Sequence, residues 1–122
     1  MKHLVNWIEI PTHDLGRAKG FYGMVLDTEL TNMKIADIEY EIFSVEDRFN
    51  CGCLVRGSSY KPSQDGVVIY LDGGDDLSGI LGRVEKAGGK ILLKKTFLSK
   101  EAGYIGLFID SEGNRVGAHS MS

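Results

Sequence analysis

Few side chains in this sequence have the types and spacing that could do chemistry. Glu9 alternates with Trp7 and Val5 along an extended run, so the three share one face of a strand. Near the other end Arg115, Gly117 and His119 alternate in the same way. A carboxylate, a guanidinium and an imidazole are the groups that move protons or hold a charged ligand. Trp7 is the sole tryptophan and serves either as core packing or as a stacking wall for a planar ligand. Cys51-Gly52-Cys53 puts two thiols on one face, a pair able to hold a soft metal or sense redox state. No further cysteine or well-placed histidine joins them, so they read as small buried apolar residues. His13 stands just before a helix cap, where turn hydrogen bonding accounts for it, and His3 lies near the start of the chain. Lys94-Lys95 reads as a solvated pair of charges. Gly73-Gly74 precedes a helix without the Lys-Ser/Thr of a phosphate loop, and no Gly-x-Ser-x-Gly elbow is present.

The elements that must carry these residues follow from periodicity. Residues 4–10 are rich in β-branched and aromatic types and read as a strand ended by Pro11. Asp14 is a good N-cap for a helix running to about Leu26, with Leu15, Ala18, Phe21-Tyr22 and Val25 at helical spacing. Strands are expected over residues 28–34, 39–45 and 51–56, and on the second of them only one of Tyr40 and Glu41 can face a cleft. Residues 57–66 form the most loop-like stretch. The order then repeats. A strand at 67–72 leads to a helix capped by Asp76, with Leu77, Ile80-Leu81 and Val84 as its stripe and Gly88-Gly89 as its stop. Strands at 90–95, 104–110 and 115–119 follow, with a turn at Ser111-Glu112-Gly113-Asn114. Asp14 and Asp76 stand about half a chain apart, which gives two βαβββ modules, 1–57 and 66–122, in one α+β domain. Two curved sheets sharing a concave face make a natural ligand cleft.

Composition narrows the function classes. The chain has 122 residues, 43% hydrophobic and 25% charged, which suits one globular domain and excludes disorder as its description. A net charge of −3 with scattered basic residues gives no reason to seek nucleic acid or an anionic membrane. Two cysteines make no disulfide framework, no apolar run approaches the roughly 20 residues of a membrane span, and residues 1–7 show no signal-peptide core. The expected location is cytoplasmic. Sixteen glycines imply tight turns and close backbone approaches.

Three motifs in this order resemble the vicinal oxygen chelate (VOC) superfamily, the glyoxalase, bleomycin-resistance and extradiol dioxygenase group. They are Asp14-Leu15-Gly16-Arg17-Ala18-Lys19-Gly20-Phe21-Tyr22, Val84-Glu85-Lys86-Ala87-Gly88-Gly89-Lys90-Ile91 and Asp110-Ser111-Glu112-Gly113-Asn114-Arg115-Val116. The resemblance implies two βαβββ modules around a shared cleft. It also implies one divalent metal there, such as Zn, Ni, Mn or Fe, held by His, Glu or Gln on four strands. The metal would polarise an enediolate or catecholate. Carried across, those four positions fall on Trp7, on one of Leu54, Val55 and Arg56, on one of Val67, Val68 and Ile69, and on Gly117. None is a usual ligand, and a shift by one residue supplies no His, Asp or Glu.

If Trp7 and Gly117 stand at inherited ligand positions, strand alternation turns Glu9, Arg115 and His119 into the cleft beside them. Tyr70 faces inward if the repeat carries one inserted residue at Gly73-Gly74, and Leu71 does otherwise; Tyr104 is placed at the mouth. The expectation is therefore a small organic ligand bound by Trp7, Glu9, Tyr70, Tyr104, Arg115 and His119 without a metal cofactor. The alternative is a lyase or isomerase resembling lactoylglutathione lyase, with Glu9 and His119 moving protons and a metal elsewhere or absent. The resemblance also implies a homodimer.

Overall fold

The structure is a computed structural model and describes residues 1–46 and 51–122. Chain order is β1 (Ile8–Pro11), α1 (Leu15–Val25), β2 (Leu30–Ile35), β3 (Ile38–Phe43), β4 (Gly52–Arg56), β5 (Tyr70–Asp72), α2 (Ser78–Val84), β6 (Lys90–Ser99), β7 (Gly103–Ile109) and β8 (Arg115–Ser120). The first four strands form one sheet, ordered β1-β4-β3-β2, and the last four form a second, ordered β5-β8-β7-β6. In each, the first strand runs parallel to the fourth and the remaining neighbours are antiparallel. The repeat in element order is thus a repeat in topology.

Several boundaries differ from the sequence expectation. The first strand starts at Ile8, which pairs with Gly52 at the start of β4, and Leu4 and Val5 are exposed. Pro11 belongs to that strand instead of ending it, which an edge strand permits because one side of its backbone needs no donor. The fifth strand is only Tyr70–Asp72, while β6 runs on to Ser99 through irregular pairing with β7. Asp14 caps α1, its carboxylate accepting from Arg17 N at 3.0 Å. The second helix begins one residue later than Asp76 would cap. Leu77 takes the cap position, and its N–H donates to Ser120 Oγ at 2.9 Å. Gly88, at φ 104°, and Gly89 stop the chain after α2. A Cβ on Gly89 would stand 2.5 Å from Ile109 O and 2.7 Å from the Phe21 ring, so the helix turns tightly against its neighbours there.

One hydrophobic core serves both modules. Phe21 and Tyr22 of α1 are fully buried edge to face, their centroids 4.9 Å apart. Tyr22 reaches Phe43 of its own sheet at 5.8 Å, and Phe21 reaches Phe108 of the other at 6.0 Å. Each such side chain, fully buried, is worth roughly 1.5–3 kcal/mol, and here that burial couples the halves. Polar contacts reinforce the joint. The Tyr22 hydroxyl donates to Asp110 Oδ2 at 2.6 Å, and Arg83 of α2 donates twice to Val25 O at the end of α1. Asn114 Nδ2 donates to Pro11 O at 2.8 Å.

The turn between β7 and β8 is the strongest of these links. Glu112 Oε1 accepts from the backbone N–H groups of His13 and Asp14, and Oε2 accepts from Arg17 Nε at 2.7 Å. Burial alone pushes the Glu112 carboxyl up, but Arg17, these N–H groups and the Ser111 hydroxyl outweigh it and hold it at about 2. Two motifs of the resemblance, one in each half, therefore meet as a latch.

The sheet faces turned away from the helices are open. Thr31, Met33, Tyr40 and Ile42 alternate on the first, Leu107, Ile105 and Tyr70 on the second, all partly or fully exposed. No helix among the described residues is long and apolar enough to cross a membrane.

Candidate functional site

Glu9 and Arg115 come to one place. They line a hollow of about 230 Å³ between β1, the start of β8 and the connecting segment that carries Lys61, Asp65, Val67 and Ile69. Pro11 holds one wall and Val116 another, so Glu9 and Arg115 border a partly apolar space. They form no ion pair with each other. The nearby Glu9 carboxylate raises the Tyr60 pKa, first through hydrogen bonding, ahead of burial and the Glu9 charge. Arg115 Nε is buried and has no hydrogen-bond partner among the described residues.

Around Glu9 the register places Cys53 directly opposite on β4, and Val55 opposite Pro11. Both are fully buried. Burial first, and then the Glu9 charge, push the Cys53 thiol up to about 12, so it remains an inert thiol. Cys51 is half-buried and unpaired with it. Trp7 stands just before β1 with 38% of its surface exposed.

The second sheet decides the Tyr70 alternative. Tyr70 pairs with Gly117, and Leu71 pairs with Ala118 and packs against the core. Tyr70 therefore lies on the face away from α2, with its ring over Gly117. A Cβ on Gly117 would stand 2.3 Å from Tyr70 Cδ1. The ring fills the place where a side chain at position 117 would begin.

His119 shares the Gly117 face but does not line the hollow. Its Nε2 donates to Ala102 O in the turn between β6 and β7. Tyr104 lies on the opposite face. It pairs with Ser120, whose hydroxyl meets α2, and its ring packs with Phe97 at 5.3 Å beneath Lys95 Nζ at 4.6 Å. Tyr104 at the cleft mouth is thus corrected: the pairing of Ile109 with Arg115 sets the parity of β7, which puts Ile105 beside His119 and Tyr104 on the helix side. Lys95 is no free surface charge either, since it also pairs with Asp76 at 2.9 Å. On β3, Tyr40 takes the open face while Glu41 is buried on the α1 side, bonded by Asn32 and Lys19.

The connecting segment was missed as a source of site residues. Tyr60, Lys61 and Asp65 belong to an irregular polar stretch with no period to orient them. The one signal was an aromatic beside a cation in a loop otherwise made of small polar residues. Ser63 N donates to Asn114 Oδ1 at 3.1 Å and ties this segment to the hairpin that begins β8.

Three larger hollows lie elsewhere, and in two of them charged lining groups are engaged by the chain. One of about 490 Å³ beside α1 is lined by His13, Glu39, Glu41 and Arg56, with Arg56 paired to Glu39 at 3.7 Å. Another, of about 580 Å³, is lined by Ile8, Leu71, Asp72 and Arg83, where Asp72 accepts from Gly74 N and Arg83 is bound to Val25 O. Among the described residues no group of three or more His, Cys, Asp or Glu could hold a metal ion. The side chains at the four expected ligand positions do not fit a divalent cation.

The arrangement matches known structures closely enough to decide the fold. A glyoxalase/bleomycin resistance protein/dioxygenase domain from Frankia sp. EAN1pec superposes with a TM-score of 0.75 at 14% identity, covering 98% of each chain. The chain has the glyoxalase/bleomycin resistance fold. An antibiotic binding protein from Streptomyces sp. CB03234 shares this fold at a TM-score of 0.67 and 19% identity, over 100% of this chain and 98% of that one. Glyoxalase I from Zea mays matches at 0.65 and 18% identity over 95% of this chain. The present chain spans about half of that enzyme, 45% of its length. No family model and no curated protein matches the sequence. The likeness at these identities is one of fold, and function rests on the site.

Proposed function

We propose that this protein binds a small organic ligand in the hollow between its modules, and that it does so without the divalent metal the resemblance implies. The observation that carries this is the meeting of Glu9 and Arg115 on one hollow without an ion pair between them. Charged groups facing a partly apolar space are costly unless something pairs with them, and a ligand supplies what the chain does not. Trp7, Val55 and Gly117 at expected ligand positions, with the Tyr70 ring over Gly117, support loss of the inherited metal site. The antibiotic binding protein of the same fold supports a binder as the class.

The lyase or isomerase reading needs an acid or base free to move a proton. His119 is held by Ala102 O outside the hollow, which favours binding over catalysis. The open apolar faces of both sheets support a homodimer in which a second copy covers them and extends the cleft.

Metal analysis of protein purified without chelator tests this reading. Zn, Ni, Mn and Fe are expected far below one per chain. A stoichiometric content of any of them would overturn it in favour of the enzyme.

A further inference from the structure

We propose that Asp65-Gly66 is a site of spontaneous backbone modification, where the aspartate isomerises through a succinimide to isoaspartate, and that the fold protects the other steps open to the same chemistry. The Gly66 nitrogen attacks Asp65 Cγ. An N–C bond forms, a C–O bond breaks, and the carboxyl oxygen leaves as water with the amide proton. Water then reopens the ring. Attack at the β-carbonyl restores aspartate, and attack at the α-carbonyl leaves the chain running through the β-carboxyl. No oxidant or other co-reactant is consumed.

The step needs a free carboxyl, a free amide nitrogen and no side chain in the way, so a following glycine favours it. The sequence holds two Asp-Gly steps, at 65–66 and 72–73. At the first, both residues are exposed, and no hydrogen bond among the described residues engages the Asp65 carboxylate or the Gly66 N–H. Only the N–H of Asp65 itself is held, by Ser63 Oγ at 2.9 Å. Gly66 stands at φ 94° with open space where a Cβ would point. The second step is tied at both reacting groups. Gly73 N–H donates to His119 O at 2.7 Å, and Asp72 Oδ1 accepts from Gly74 N at 2.8 Å. Asp110-Ser111 is tied as well: its buried carboxylate accepts from the Tyr22 hydroxyl, from Glu112 N and from Asn114. The outcome differs too. An extra backbone carbon at 72 would break the pairing of β5 with β8, whereas at 65 it falls in a connecting segment outside both sheets. There it would reshape the wall of the hollow that Asp65 shares with Glu9 and Arg115.

The test is warm incubation of the full chain at neutral pH, folded and in parallel in urea. Peptide mapping with electron-transfer fragmentation then tells isoaspartate from aspartate at each residue. In the folded chain, isoaspartate at 65 should form roughly 5- to 150-fold faster than at 72, where two hydrogen bonds must first open. In urea the two rates should converge. Asp65→Glu, too long for the five-membered ring, should abolish the product at 65, and Asp65→Asn should speed it with loss of ammonia instead of water. Both variants change an exposed side chain without a hydrogen-bond partner, so each is expected to fold. No isoaspartate at 65 of the folded chain, or equal amounts at 65 and 72, would overturn the proposal. So would a difference that persists in urea, because it would then come from sequence alone.

Discussion

At the scale of single residues the molecule separates charges that hold it together from charges left over. Glu112 belongs to the first kind. Its carboxyl is held at about 2 against an ordinary 4.5, so its ionised form stabilises the fold above about pH 4.5, and that contribution is lost as pH falls from 4.5 toward 2. Arg17 is more than half exposed, and solvent screens its pair with Glu112. Glu112→Gln is therefore expected to cost roughly 1–3 kcal/mol at neutral pH, less than the shift alone would give. Urea unfolding of both proteins across this range should show the gap closing toward pH 2. A gap that stays constant would mean the carboxylate charge is not what latches the modules. Arg115 belongs to the second kind, and its alternation with Gly117 was legible from sequence. That its Nε has no partner among the described residues was not, because pairing depends on where Glu9, Tyr60 and Asp65 come to rest.

At the scale of elements the close approach of β5 to β8 sets the shape of the second sheet. Gly117→Ala would drive a Cβ into the Tyr70 ring, at 2.3 Å from Cδ1 and 2.5 Å from Cε1, and overpacking of that kind costs roughly 1–3 kcal/mol. Removing the ring with Tyr70→Ala in the same chain should recover most of the loss. Thermal melts of the two single variants and the double variant measure it, and a Gly117→Ala protein as stable as the parent would show that the ring moves aside freely. The element order was readable because each helix carries a clear apolar stripe between extended runs bounded by Gly, Pro and Asp. Edges were less readable. Residues 4–7 have strand-like side chains, yet β1 begins only at Ile8, where it pairs with Gly52 of β4. The face of Tyr104 was recoverable in principle, since the turn at 110–114 fixes which β7 residues lie beside Arg115 and His119. The path of the connecting segment was not, because an irregular stretch has no period to read.

At the scale of the whole molecule, two modules share one core through their helices and leave their opposite faces open. Exposed Met33, Ile35, Phe97 and Leu98 lie on the outer strands β2 and β6 of the two sheets. Unpaired edges and apolar faces of this kind are covered in stable proteins. Sedimentation at micromolar concentration should give a species of about twice 13.4 kDa, and a single-chain species alone would contradict the homodimer. The central claim is that the hollow binds an organic ligand with the chain's own charges and no metal. Calorimetric titration with a panel of small acids, amines and glutathione conjugates, each with and without chelator, tests it most directly. At least one small acid should bind equally well in both conditions, and Glu9→Gln or Arg115→Ala should weaken it; binding that appears only with a divalent ion, or that neither substitution changes, would contradict the account.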